Sequence, residues 1–368
     1  MNIRLQQENI DRCRFCFMCR HVCTLGRVTS EEALTPRSQA LSLSLILRGA
    51  VEYTEELVEN LYQCCLCGYC KDWCQGGWDF PAAVKAARAD IVEQGLVPAG
   101  VAALKDELLE NGNAYGKAAM DVALKQEIEK HREKQELGVI FGSDVLYAAP
   151  EIGLSLMRIL DAAGVRFMAF PEEDTSCYEL YCLGYRKEAR ELASQLIDRV
   201  RVVGCRQVIV ASPDFEAFLS KEVPVLGLEW GETTLVGAVK YVHGLLQNKR
   251  LTLKKSYEKN MTYHDPNGLA RETGVTVEPR EILTNLSGRE YLEMVWNKNE
   301  AHSAGSNLVS RLYPKLGQDI LQKRVEDVRE IDAETLVTAS PFDKLSFSQA
   351  LAGQKAVVDI LQLVSDLI

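Results

Sequence analysis

Cys13-Arg14-Phe15-Cys16-Phe17-Met18-Cys19-Arg20-His21-Val22-Cys23 and Cys64-Cys65-Leu66-Cys67-Gly68-Tyr69-Cys70-Lys71-Asp72-Trp73-Cys74 share one spacing, C-x2-C-x2-C-x3-C. Three thiolates three residues apart can wrap one face of a cuboidal iron–sulfur cluster, while the fourth lies too far along to join them and reaches a neighbouring cluster. Two such runs therefore make a matched pair of sites. The spacing predicts one [4Fe–4S] cluster on Cys13, Cys16, Cys19 and Cys74 and a second on Cys64, Cys67, Cys70 and Cys23. Zinc is the competing reading, because C-x2-C is also a zinc spacing. Zinc takes four ligands in two pairs, however, and would leave cysteines over in each run.

A disulfide framework is the bland alternative for so many cysteines. Such frameworks belong to small secreted chains, whereas this one has 368 residues, opens with MNIRLQQENI rather than a charged-then-apolar signal segment, and has nine of its 12 cysteines by Cys74. A cytoplasmic location is the expectation. The length suits two or three domains, and a hydrophobic fraction of 47% is enough for ordinary cores. The longest apolar candidate for a membrane span, Leu41 to Leu47, is broken by serines and ends at Arg48, so no direct span is expected. A net charge of −10 argues against nucleic acid as a partner. The basic cluster Lys249, Arg250, Lys254 and Lys255 lies in a polar stretch and reads as a solvated connector.

Residues 1–98 read as helical arms around the two cysteine loops. Thr35 before Pro36 predicts an N-cap and a first-turn proline for a helix through Ala40 to Ile46. Glu55 to Tyr62 predicts a second helix delivering the chain into Cys64, and Pro81 opens a third that runs to about Glu93. The first loop carries Arg14, Arg20 and His21; cations favour the extra electron of a reduced cluster, so this cluster is expected to have the higher potential, unless those arginines only keep the loop soluble. Cys65 falls outside the ligand register and reads as a packed thiol. Residues 99–135 read as a charged helical linker, with one helix around Leu104, Leu108 and Leu109, a break at Asn111-Gly112-Asn113, and a second helix over Lys117–Glu136.

From Leu137 short apolar runs alternate with helices. Strands are predicted at Val139–Phe141, Val165–Phe170, Gln207–Ala211, Thr262–Tyr263, Leu336–Ala339 and Val357–Asp359, and helices at Ile152–Ala163, Lys187–Val202, Thr233–Leu246 and Asn307–Arg329. Val208-Ile-Val-Ala-Ser-Pro-Asp-Phe and Leu336-Val-Thr-Ala-Ser-Pro-Phe-Asp repeat a strand that runs into Ser-Pro. Two related α/β halves follow, 136–255 and 256–368.

The two cysteine runs, Thr35-Pro36-Arg37, Tyr263-His-Asp-Pro-Asn-Gly-Leu-Ala-Arg271, Glu278-Pro-Arg-Glu-Ile-Leu283 and the Ser-Pro turns together resemble the heterodisulfide-reductase-related iron–sulfur proteins. That group includes the iron–sulfur subunits of anaerobic glycerol-3-phosphate dehydrogenase, glycolate oxidase and lactate-utilisation systems. The resemblance implies an α+β protein: a mostly helical, ferredoxin-like domain with two [4Fe–4S] clusters, then a two-fold-repeated α/β domain of the cysteine-rich CCG type.

The second domain departs from that pattern. The family gathers cysteines at Asp-Pro-Cys, Cys-Cys-Gly and Cys-Pro-x-Cys, and its heterodisulfide reductases build there the cluster that works on the disulfide. Here Asn267 follows His264-Asp265-Pro266, Ser303 and Ala304 stand near the Cys-Cys position, Ser340 and Asp343 flank Pro341-Phe342, Ser212 and Phe215 flank Pro213-Asp214, and Ser176 precedes Cys177. Without thiolates that cluster has no ligands, so heterodisulfide reduction is not expected. Cys177 and Cys182 form an incomplete ligand set, open to reading as a relic, a redox pair or two ligands of something smaller; Cys205 reads as core.

No Gly-rich phosphate loop, dinucleotide fingerprint or Ser-His-Asp order is evident, and the Gly-Ser pairs at 142–143 and 305–306 lack nucleotide-site spacing. The economical function is an electron wire. The resemblance implies the neighbours: a flavoprotein oxidoreductase or electron-transfer flavoprotein, with a further iron–sulfur or membrane subunit as an additional partner. Two other classes stay open, an enzyme whose remodelled α/β cleft binds substrate or flavin, and an adaptor whose clusters only staple a small domain.

Overall fold

The computed structural model describes residues 1–116, 119–170 and 176–368. The chain folds as two compact units, neither of them continuous in sequence. The first comprises Met1–Glu110, Tyr178–Ala189 and His302–Arg324; the second comprises Asn111–Cys177, Arg190–Ala301 and Val325–Ile368. Two segments from within the expected α/β region thus belong to the cysteine-loop unit, and the expected linker 99–135 divides between the two units.

The first unit is helical. Its axis is the helix Phe80–Glu93, capped by the Asp79 side chain, which accepts from the Ala82 amide at 3.0 Å. Small residues on almost every face, Ala83, Ala86, Ala87 and Ala89, let neighbours pack close, and all of them are buried. Asp90 on this helix accepts from the Ile3 amide at 3.1 Å and from the Asn2 amide, holding the N-terminal turn Asn2–Gln6. The helix Glu55–Gln63 starts at Thr54, whose hydroxyl accepts from the Leu57 amide at 3.2 Å. Thr35 behaves differently from expectation. Pro36 does open the helix Pro36–Leu47, but the Thr35 hydroxyl turns back to donate to the Glu32 carbonyl at 2.8 Å and caps nothing.

The second unit holds two four-stranded parallel sheets. In chain order the strands are β1 (Leu137–Ile140), β2 (Met168–Ala169), β3 (Gln207–Val210), β4 (Thr234–Gly237), β5 (Met261–Tyr263), β6 (Tyr291–Leu292), β7 (Thr335–Thr338) and β8 (Ala356–Asp359). The sheets are ordered β2-β1-β3-β4 and β6-β5-β7-β8, the same order twice, as a duplicated α/β unit requires. One apolar core joins them, with Val139, Phe141, Ile209, Met261, Tyr263 and Val337 packing with the helices Pro150–Ala162 and Ile360–Leu367.

Some elements differ from the sequence reading. β4 occupies the first residues of the stretch read as a helix from Thr233, and the helix begins at Ala238. β6, two residues long, gives no readable period. The expected helix Asn307–Arg329 breaks into Asn307–Leu312 and Pro314–Arg329, since proline at 314 removes an amide donor. The second linker helix spans Val122–Lys130; residue 117, where it was expected to begin, lies outside the described residues. Among the described residues no helix is long and apolar enough to cross a membrane.

Candidate metal centre

The two cysteine loops share one backbone turn and part after it, Phe17 having φ −98° where Gly68 has φ 77°. Phe15, two residues after Cys13, and Leu66, two residues after Cys64, take left-handed φ values of 52° and 54°. A bulky residue adopts that conformation only where its surroundings hold it there, at a cost of order 1 kcal/mol. Its effect here is to turn an amide onto a sulfur: Phe15 N–H donates to Cys13 Sγ at 3.4 Å, and Leu66 N–H donates to the Cys64 sulfur. Short helices, Met18–Val22 and Tyr69–Asp72, follow and carry the third cysteine of each run.

The fourth cysteines cross over. Cys74 acts electrostatically on Cys13 and Cys19, which also feel Cys16, so these four sulfurs lie together. Cys23 acts on Cys70 and is itself acted on by Cys67 and Cys64. The two quartets differ in exposure: in the first Cys16 is exposed and Cys13, Cys19 and Cys74 are half-buried, whereas in the second Cys64 and Cys67 are half-buried and Cys23 and Cys70 are buried. Burial pushes the Cys19 thiol up to about 12 and the Cys64 thiol up to about 11 and raises Cys70 in the same direction, and the neighbouring sulfurs add to each rise. Further donors meet the sulfurs: Trp78 N–H reaches Cys74 Sγ at 3.4 Å, the amides of Gly26 and Leu25 reach Cys23, and Thr24 Oγ1 lies 3.5 Å from Cys67 Sγ.

A cavity of about 20 Å³ lies against Cys23, Cys64, Cys67 and Cys70, walled by apolar Leu25, Leu34 and Phe80. An all-sulfur donor set with amide donors behind it and apolar walls around it fits an iron–sulfur cluster. Cys65, outside the ligand spacing, is buried with Leu25, Leu34, Val309 and Ile320, and its thiol hydrogen-bonds with the Cys67 sulfur beside the second quartet.

Arg88 went unnoticed in the sequence. Its guanidinium, on the axial helix and only 2% exposed, donates to the carbonyls of Leu61, Cys64 and Cys182 at 2.7–2.8 Å and of Tyr62 at 3.3 Å. The available signal was a lone arginine in the apolar run Ala86-Ala87-Arg88-Ala89.

In the second unit, the strand ends where cysteines would gather carry oxygen groups. Asp265 after β5 forms a bidentate pair with Arg280 at 2.8 Å and accepts from the Lys298 amide at 2.7 Å, so it holds its turn together. His264 Nε2 stands 3.3 Å from Asp343 Oδ2 in the segment after β7, and Asp144 after β1 accepts from the Tyr115 hydroxyl at 2.6 Å. Asp214 after β3 is pushed up to about 8, first by burial and then by Asp343, Asp144 and Glu272. Oxygen groups of this kind suit hard cations, not iron–sulfur clusters. Cys205 is buried and its thiol donates to the Gln135 carbonyl at 3.5 Å; Cys177 and Cys182 are buried as well.

The profile of the CCG cysteine-rich domain matches residues 261–347, from β5 into the helix after β7. Over 98% of its length the chain is 26% identical to one of the subunits of the dihydromethanophenazine:CoB–CoM heterodisulfide reductase of Methanosarcina barkeri, covering 95% of that protein. It is 25% identical to one of the subunits of the CoM/CoB fumarate reductase of Methanothermobacter marburgensis, over 96% of this chain and 71% of that one. The EtfAB:quinone oxidoreductase of Syntrophomonas wolfei is 25% identical over 86% of this chain and 47% of its own. The chain is thus similar to heterodisulfide-reductase-related iron–sulfur proteins along almost its whole length, while the stretch that matches the CCG domain, 261–347, contains no cysteine.

Proposed function

We propose that this chain is an electron-transfer subunit that passes single electrons through two [4Fe–4S] clusters, one on Cys13, Cys16, Cys19 and Cys74 and the other on Cys64, Cys67, Cys70 and Cys23. The observation that carries the reading is the exchange of fourth cysteines between two loops that share the left-handed turn at Phe15 and Leu66. A cluster with four thiolate ligands has no open position for substrate, and what it supplies when bound is one-electron storage. The chain's own residues hold each site, aim amides at its sulfurs and keep water from the second one. The partner is a flavoprotein oxidoreductase or electron-transfer flavoprotein, consistent with the relative named for EtfAB and quinone. Its electrons exchange at the first quartet, where Cys16 reaches the surface between exposed Phe17 and Met18 and exposed Arg14. The second unit serves as a docking body.

Iron analysis of anaerobically purified protein tests the proposal. About eight irons per chain are expected, from two four-iron clusters, and four or fewer would overturn it. Cys70→Ser should remove one cluster and block transfer, while Cys177→Ser should leave the iron content unchanged.

The oxygen groups around Asp144, Asp214, His264 and Asp343 favour a second reading, an enzyme with a site at the strand ends of the α/β unit. A bound flavin spectrum in the protein purified alone would support it.

A further inference from the structure

A guanidinium buried to 2% exposure needs a counter-charge, because taking a lone cation out of water is costly. Arg88 has none of the usual kind. All of its hydrogen bonds go to main-chain carbonyls, those of Leu61, Tyr62, Cys64 and Cys182, and among the described residues no carboxylate lies within ion-pair distance of it. Three of these carbonyls end the helix Glu55–Gln63 and lead into the second cysteine loop. The negative end of a helix offsets only about half a charge. The rest is left for whatever the loop holds. Four thiolates around a four-iron core are net negative, and each added electron makes them more so.

The first loop offers a contrast. Arg37 stands as far along the chain from Cys13 as Arg88 does from Cys64, and its Nε donates to the Phe15 carbonyl in that loop at 2.9 Å. Arg37 has its own carboxylate, Glu32, at 3.1 Å, and Glu32 also pairs with Arg20. The other loop arginine, Arg14, is exposed and donates to the Asp11 carbonyl. Cations in water or already paired do little to a nearby charge, whereas an unpaired one in the interior acts strongly. The arginines visible in the first run are therefore the weaker influence.

We propose that Arg88 is the positioning residue that sets the potential of the cluster held by Cys64, Cys67, Cys70 and Cys23: its unpaired buried charge is the counter-ion of that cluster and keeps it reducible despite burial. The step it assists is the addition of one electron from the flavoprotein donor, with no bond made or broken. This inference rests on the two-cluster reading, and the test separates the two.

The full chain, loaded and handled anaerobically, is titrated against redox mediators and dithionite and read by electron paramagnetic resonance. The signal lost in Cys70→Ser identifies the second cluster. In Arg88→Gln that cluster's midpoint should fall by at least 59 mV, a tenfold drop in its reduced-to-oxidised ratio at fixed potential, while the first cluster stays in place. Arg88→Lys, which keeps the charge, should retain most of the wild-type value, and Arg14→Gln should leave both midpoints unmoved. An unshifted midpoint in Arg88→Gln, or an equal fall in Arg88→Lys, would overturn the role of Arg88. Should Arg88→Gln fail to retain iron, the wild type decides: an interior charge is hardly screened, so raising the salt should move the first midpoint and leave the second. Equal salt sensitivity would overturn the proposal. Four or fewer irons in the wild type would defeat the two-cluster reading itself, whereas eight irons with unmoved midpoints would defeat only Arg88.

Discussion

Asp214→Asn should make the second unit more stable than the wild type at neutral pH, and less distinguishable from it in mild acid. Asp214 is raised to about 8 because it is buried and faces Asp343, Asp144 and Glu272, against which the Gly268 amide favours its charge. In the unfolded chain an aspartate titrates near pH 4. Between those two values the native state holds a proton that the unfolded state has released, so wild-type stability falls as pH rises through this window and levels off above it. One group can contribute at most about 1.4 kcal/mol per pH unit. Asp214 keeps partial contact with solvent, so roughly half of that limit is a fair allowance for screening, or about 1–2 kcal/mol between pH 5 and 7. Asparagine keeps an acceptor for the Gly268 amide and never ionises. Urea unfolding at pH 5, 6 and 7, followed by tryptophan fluorescence with Trp230 and Trp296 reporting from this unit, should show the variant gaining on the wild type with each step. A gap that is independent of pH, or that closes as pH rises, would refute the assignment of a protonated Asp214.

Two further outcomes follow from the first unit. Gly184 has φ +100° and a side-chain carbon there would lie 2.5 Å from the Arg88 carbonyl carbon and oxygen, so Gly184→Ala should cost about 3 kcal/mol or more, since both strain and overlap act, seen as a lowered urea midpoint and faster loss of iron. Arg14→Glu, at an exposed rim position, should slow reduction by an acidic flavoprotein several-fold at low salt, with the difference vanishing at high salt and the iron content unchanged; stopped-flow absorbance at both salt concentrations checks this.

The candidate ligands were legible because thiol spacing is a local property, and each loop lies within eleven residues of chain. The helices around them and six of the eight strands were legible for the same reason, since apolar period and capping chemistry act over a few residues. β4 was hidden because Leu235 and Val236 run directly into the helical period of Ala238, Val239 and Val242, so one apolar stripe covers two elements. Arg88 and the discontinuity of the first unit were illegible for a different reason. Tyr178–Ala189 and His302–Arg324 have ordinary helical patterns, and nothing in a pattern states which neighbour a helix will bury its face against. Tyr62, whose hydroxyl donates to the Leu183 carbonyl at 3.0 Å, and Arg311, which pairs with Glu107 at 2.6 Å, make those long-range choices through single polar groups.

Because the first unit draws on three stretches of chain ending at Arg324, synthesis imposes an order on its completion. When Cys74 leaves the ribosome, the carbonyl of Cys182 that Arg88 will bind and the Val309 and Ile320 side chains that cover Cys65 have yet to be made. The eight candidate ligand thiols would then wait, reduced and uncovered, until most of the polypeptide has emerged. Iron delivery is therefore expected late in biogenesis, and truncation anywhere between Cys74 and Arg324 should yield a chain that binds iron and sulfide poorly although every candidate cysteine ligand is present.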